Sequence, residues 1–275
     1  MASERGDRRV RGAARNKKQK TRKSERKFKM AKKDETALVV PEDTQFQIMK
    51  MGESDIKAML HENLAGGDSI SVQDLPRVKV PSGGGTVWSV PSVEGDKNME
   101  HLEGVIIFTK NTRTYWEQSF DDTGGGIPPD CYSLDGVTGI GIMADLTPGA
   151  LCADCEMYKF KEDGSGRPCK EGRLIFMVTQ EEILPIVIKA PVMSLGNAKK
   201  YLLGLTSRVQ KVHSVYTKLS LVADKNKKGM KYSKIIFEKI GDVEQPQLTQ
   251  AYAETLRPFI DQQAAKIVAE YTPED

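Results

Sequence analysis

The sequence predicts a mainly β chain with flanking helices, an α+β fold, and three observations carry that prediction. Runs rich in Val, Ile, Thr and aromatic residues recur through the middle and last third, some alternating apolar with polar at the period of a half-buried strand. Helical spacing is confined to three places, near 43–64, 194–207 and 246–270. Between 121 and 172 lies a stretch with several Gly and Pro, no long apolar period and all four cysteines, which breaks both patterns.

Taken in order, DTQFQIMKMGESDIKAMLHENL (43–64) predicts a helix. Phe46, Met49, Ile56, Met59 and Leu60 recur at helical spacing, and Gly66-Gly67 end the run. The following Pro, Gly and Ser residues predict loops around a short strand at 86–90. LEGVIIFTK and RTYWEQSF then predict a hairpin over about 102–120, turning at Asn111-Thr112. After the cysteine segment, RLIFMVT (173–179) and LPIVIKA (184–190) are strand-like. Ser194 is expected to cap a helix that puts Leu195, Ala198, Tyr201, Leu202 and Leu205 on one face. SVYTKLSLVA (214–223) alternates, with Val215, Thr217, Leu219 and Leu221 on one face and Tyr216, Lys218 and Ser220 on the other. A lysine-rich turn, DKNKKG, leads into YSKIIFEKI (232–240), and a last helix runs over about 246–270 with a kink near Pro258. About five strands with a helix between the third and fourth is the pattern of an OB-like barrel, although a mixed α+β sheet gives a similar string. No internal repeat at a fixed period is present.

Charge divides the chain. Residues 1–33 hold 15 Lys or Arg against 3 Asp or Glu, a balance of +12, whereas the whole chain nets only +3. The domain organisation expected is thus a basic arm over 1–42 and a globular body over 43–275, with the insertion at 121–172. The arm has too few apolar residues to bury a core and reads as disordered. Such arms bind nucleic acid through phosphate contacts and counterion release; a solubilising tail and a targeting sequence are the plainer alternatives. The first residues, MASERGDRRV, lack an apolar signal core, and no run approaches a membrane span. The expectation is a cytoplasmic protein with no membrane partner, in a compartment where thiols stay reduced.

Cys131, Cys152, Cys155 and Cys169 fall within 39 positions. A C-x-x-C turn sets two thiols on one side of a knuckle, and zinc takes four such ligands in tetrahedral geometry. The paired signature has a second C-x-x-C, which this chain lacks. Pro129, Gly149, Gly164, Gly166 and Pro168 supply tight turns, and all three histidines lie outside the segment. One structural zinc ion on the four cysteines is the reading that best accounts for the cluster, since a core-poor insertion gains about 10–16 kcal/mol of apparent binding energy from such a site. Unlinked or redox cysteines and disulfides are the alternatives.

Zinc deaminases join H-x-E to a later P-C-x-x-C. The chain has His101-Leu102-Glu103 and Cys152-x-x-Cys155, but Leu151 precedes Cys152 and the H-x-E opens a β-rich run. Four thiolates also leave no open position for water, so no catalytic residue is assigned. Gly83-Gly84-Gly85 lacks the frame of a phosphate loop, Gly139 and Gly141 lack the strand-to-helix context of a dinucleotide fingerprint, and no Ser sits in a nucleophile elbow.

Single-strand-binding proteins combine basic grooves with aromatic platforms. Lys110, Arg113, Tyr115 and Trp116 lie close together, although adjacent strand positions face opposite ways and one of the two rings belongs to the core. Tyr158 and Phe160 alternate with Lys159 and Lys161. Tyr216 shares a face with Lys218, and Lys228 and Lys231 stand in and after the lysine turn. Core packing and a solvated hairpin tip are the plainer readings of these aromatics and lysines.

The strings VPSGGGTVW, PPDCYSLDGVTGIG, the C-x-x-C, GRPCK and YSKIIFEKIG resemble, over about residues 45–260, a family of uncharacterised proteins from bacteriophages and integrated mobile elements. The layout is also similar in kind to the OB domain of replication protein A that binds single strands and carries a zinc ribbon, with a different cysteine order. Together these imply a non-enzymatic single-stranded DNA-binding protein of phage or mobile-element replication or recombination. Its partners would be single-stranded nucleic acid and replication or recombination proteins, and its place the host cytoplasm. An adaptor whose zinc ribbon docks a protein is the first alternative, and a zinc-dependent nucleobase deaminase the second.

Overall fold

A computed structural model describes residues 58–59, 61–63, 74–118, 128–141, 151–162, 166–180, 182–226 and 229–270, the last twelve by their backbone alone. The basic arm and most of the helix expected over 43–64 lie outside the described residues; 58–59 and 61–63 are helical. The strands are β1 (Arg77–Val78), β2 (Trp88–Val90), β3 (Lys97–Met99), β4 (His101–Tyr115), β5 (Cys131–Ser133), β6 (Ile140–Gly141), β7 (Lys170–Val178) and β8 (Ile186–Ala190). Helix α1 (Val192–Thr206) leads to β9 (Val215–Lys225), β10 (Lys231–Asp242) and helix α2 (Pro246–Glu270).

The protein is mainly β, and its principal sheet curls into a half-barrel with β4 as the spine. The first residues of β4, His101–Gly104, pair with β9, and Val105–Thr114 pair with β7. Gly104 sits where the partner changes. A Cβ there would lie 2.3 Å from the Val178 carbonyl oxygen, so the close approach of β4 and β7 requires a residue without a side chain. Two steps later a bulge between Ile106 and Phe108 breaks the β4–β7 register, which bends the strand. Reading across the curl, the strands run β8-β7-β4-β9-β10, with α1 connecting β8 to β9.

The sheet buries both faces, the inner by its own curl and the outer under α2. Inside the curl, Leu102, Ile106, Ile175, Met177, Ile186, Ile188, Leu219 and Ile235 form one core. Trp88 is fully buried among them and donates its indole N–H to the Leu219 carbonyl at 3.2 Å. On the outer face, Phe108 stacks on Phe176 with ring centroids 4.6 Å apart, and Ala253 and Leu256 of α2 cover them. The segment 77–85 spans from one end strand to the other: β1 adds in parallel to β8, while the Ser233 hydroxyl of β10 donates to the Gly85 carbonyl at 2.7 Å.

Two expectations are corrected. The hairpin over 102–120 does not exist; Asn111 and Thr112 continue β4 without a turn, paired to Arg173 and Gly172 of β7. Asn111 instead accepts a hydrogen bond from the Arg173 guanidinium at 3.1 Å. Ser194 does not cap α1, which begins at Val192 after Pro191. Its buried hydroxyl accepts the Ile235 N–H at 3.0 Å and ties the helix to β10. The alternation of 215–221 and the long last helix containing Pro258 are as expected.

Candidate metal centre and nucleic-acid interface

Two strands and a turn bring the cysteines together at one end of β4. Cys131 opens β5 directly opposite Tyr115. On the other edge of β4, Lys170 stands opposite Thr114, so Cys169, one residue before it, arrives level with Tyr115. The C-x-x-C forms a tight turn: the Cys152 N–H donates to Val137 at 2.7 Å, the Cys155 N–H to Cys152 at 3.4 Å and the Tyr158 N–H to Cys155 at 3.0 Å. The Cys169 N–H then closes back onto Met157 at 2.8 Å. All four cysteines line one cavity of about 20 Å³ together with Arg113, Tyr115 and Tyr158. Among the described residues, no set of three or more His, Cys, Asp or Glu side chains stands in ligating arrangement, so the thiols share a cavity without forming a finished cage.

The residues around this cavity fit a cation held by thiolates. Burial first, and the neighbouring thiols after it, push the Cys169 thiol up to about 12, while Arg113 acts in the opposite sense. The Arg113 side chain is only 13% exposed, and its Nη1 is buried without a hydrogen-bond partner. An orphaned guanidinium N–H in a thiol-lined cavity lacks an acceptor while the sulfurs are neutral; metal-bound thiolates supply one. Four cysteine sulfurs are the donor set of a closed structural zinc site.

A stack of cations and rings fastens the cysteine loop to the end of the half-barrel sheet. The Arg113 guanidinium lies 3.7 Å from the Tyr158 ring centre, Arg167 lies 4.1 Å from the same ring, and Arg167 also lies 4.2 Å from Phe160. Glu171 of β7 anchors the stack, accepting the Tyr158 hydroxyl and standing 3.8 Å from Arg113 and 3.6 Å from Arg167. Phe160, at the free end, is 70% exposed.

The expected nucleic-acid contacts are scattered by this arrangement. Arg113 and Tyr115 belong to the thiol cavity. Tyr216 is half-buried against the outer core, and that burial raises its phenol pKa. Lys218 stands level with Glu103 on β4 and Glu238 on β10. Lys110 stands opposite Leu174, which in turn stands opposite Lys189 of β8; the Lys189 ammonium lies 5.9 Å from the Trp116 ring centre. Lys231 is exposed at the start of β10, and Lys228 lies outside the described residues. His101 and Glu103 stand 3.3 Å apart at the opposite end of β4 from the thiols and line no part of their cavity.

Sequence reasoning missed a groove of about 610 Å³ between residues 79–83, the end of β8 and the start of β10, with Lys79, Lys189, Lys231 and Tyr232 on its walls. Only Lys231 was expected there. The other three come from segments more than 40 residues apart in the chain, so no local pattern joins them. No protein family, curated protein or solved structure matches the chain. No described helix is long and apolar enough to cross a membrane.

Proposed function

We propose that the body is an OB-like barrel with an inserted four-cysteine zinc ribbon, and that it binds single-stranded nucleic acid, DNA in the first place, without catalysing a reaction. The observation that carries this reading is the strand order. With β4, β7, β8, β9 and β10 counted one to five, the order 3-2-1-4-5 and a helix between the third and fourth match the five-stranded, partly open barrel whose one–two and four–five loops hold oligonucleotides. Here the one–two loop is the cysteine segment and the four–five loop is the lysine-rich turn. The cysteine segment and the lysine-rich turn therefore fall at the two positions where such a barrel meets its ligand.

Zinc would serve the loop as a cross-link. Cys131, Cys152, Cys155 and Cys169 would hold it, and four thiolates around one ion leave no coordination position for a substrate. Arg113 then holds charge beside the thiolates, and the Tyr158–Arg167 stack keeps the loop against the barrel. The phage or mobile-element setting, and with it a role in replication or recombination, rests on the resemblance alone.

One observation favours the adaptor reading: the loop presents the exposed Phe160, and Cys152–Lys170 carries equal numbers of acidic and basic side chains, which suits a protein partner as well as a polyanion. Equilibrium binding of the full chain to a single strand and to its duplex, across a salt series, decides between them. The single strand is expected to bind more tightly at every salt concentration. No preference, or no binding, puts the adaptor reading first.

A further inference from the structure

The groove between residues 79–83, β8 and β10 is used neither by the thiol centre nor by either core. Three ammonium-bearing side chains, Lys79, Lys189 and Lys231, line one hollow, and among the described residues no Asp or Glu lines it. Lys231 also stands directly opposite Lys225, next to the turn of the β9–β10 hairpin. Facing like charges weaken a strand pair. The hairpin's own acid, Asp224, is engaged by Lys234 and by the Tyr232 hydroxyl, and it does not line the groove. One wall is backbone with no side chain in the way: Gly83 has φ 70°, and a Cβ placed on it would meet nothing within 4 Å. That bare turn allows a ligand to approach the main chain closely.

We propose that this groove is a track for the sugar–phosphate backbone of a single strand, with Lys79, Lys189 and Lys231 taking phosphates and Tyr232 stacking under an unpaired base. The inference rests on the single-strand reading above and names the residues that would carry it. The dimensions suit a chain of phosphates better than one small anion, since the hollow of about 610 Å³ has cations on separate walls. The ends of the groove point the same way. Lys189 reaches toward Trp116, where the cysteine loop leaves β4, and Lys231 follows the lysine-rich turn directly. A strand lying in the groove would run from one of the two loops to the other.

The test uses the full chain and a fluorescein-labelled oligothymidine, with anisotropy read across a salt series. Replacing Lys79, Lys189 and Lys231 together by Gln is expected to make the slope of log K against log salt shallower by about 2, at about 0.7 per lost single-strand contact. Lys231→Gln alone, at an exposed side chain, is expected to change it by about 0.7. Lys199→Gln with Lys200→Gln, on the exposed side of α1, is expected to lower it less than the groove variant. Tyr232→Ala is expected to weaken binding about 5- to 150-fold, and Tyr232→Phe, which keeps the ring and loses the bond to Asp224, to bind like the parent. If the parent binds the oligonucleotide but the groove variants, Lys231→Gln included, leave slope and affinity unchanged, the groove proposal falls and the single-strand reading stands. If the parent binds no oligonucleotide, both fall.

Discussion

Trp88 follows the glycine-rich turn, yet its ring is fully buried and its N–H is spent on Leu219. Its segment supplies the side chain that fills the inside of the curl, so Trp88→Ala is expected to lower stability by about 3–5 kcal/mol, read as a shift in the urea midpoint. A loss under about 1 kcal/mol would show that the inner core closes without it. Arg113 makes a different residue-scale test, because a phosphate contact and a partner of the thiolates behave differently when it is removed. Arg113→Ala is expected to weaken zinc binding about 10- to 100-fold in a chelator competition. Unchanged zinc affinity would confine Arg113 to the stack on Tyr158. Asp224 offers a pH signature. The Lys234 ammonium, followed by the Lys225 N–H, holds its carboxyl at about 2, below the unfolded value of about 3.9. A depressed carboxyl contributes stability above its unfolded value that is lost as pH falls through the folded one. The Asp224 carboxyl resonance is therefore expected to titrate below pH 3, and a midpoint near pH 4 would break the Lys234 pairing.

At the scale of elements, β4 organises the molecule by changing partners at Gly104. Gly104→Ala is expected to cost about 1–3 kcal/mol or more, because the added methyl meets backbone that cannot move aside. Wild-type stability in that variant would show that β4 and β7 do not pack this closely. The cysteine loop is expected to depend on metal in the same local way. Cys152→Ser should lose stoichiometric zinc by elemental analysis and open the loop to protease, and parent protein without zinc would remove the metal centre from the account. Much of this level was legible in the sequence. The period-2 run of β9 shows its buried face directly, and the cysteines declare a common site by residue type and spacing. What failed was non-local. Asn111-Thr112 reads as a turn because both residues are polar and flanked by strand formers. Their reason for staying extended is Arg173 and Gly172 on β7, some 60 residues away. Ser194 likewise carries the chemistry of a cap, and only its contact with Ile235 of β10 shows why it lies inside the helix instead. The groove was hidden for the same reason, since its lysines meet only after β8 and β10 are brought around the curl.

Over the whole molecule, charge is strongly divided. The first 33 residues carry +12 and the rest of the chain −9, so the body is acidic overall and gathers lysines only locally. A run of basic side chains binds any polyanion by counterion release and does not discriminate paired from unpaired bases. On the proposed function, discrimination comes from the body, where stacking and a shaped groove would act only on unpaired bases. Deleting residues 1–33 is therefore expected to weaken binding and flatten its salt dependence. The most direct measurement is the affinity of that shortened chain for a single strand and for the duplex of the same sequence, at one salt concentration near physiological. The body is expected to keep measurable affinity and to hold the single strand at least tenfold more tightly, about 1.4 kcal/mol. Equal affinity for the two would mean that the body does not distinguish unpaired bases, and none for either would mean that all nucleic-acid binding resides in the arm and that the half-barrel does something else.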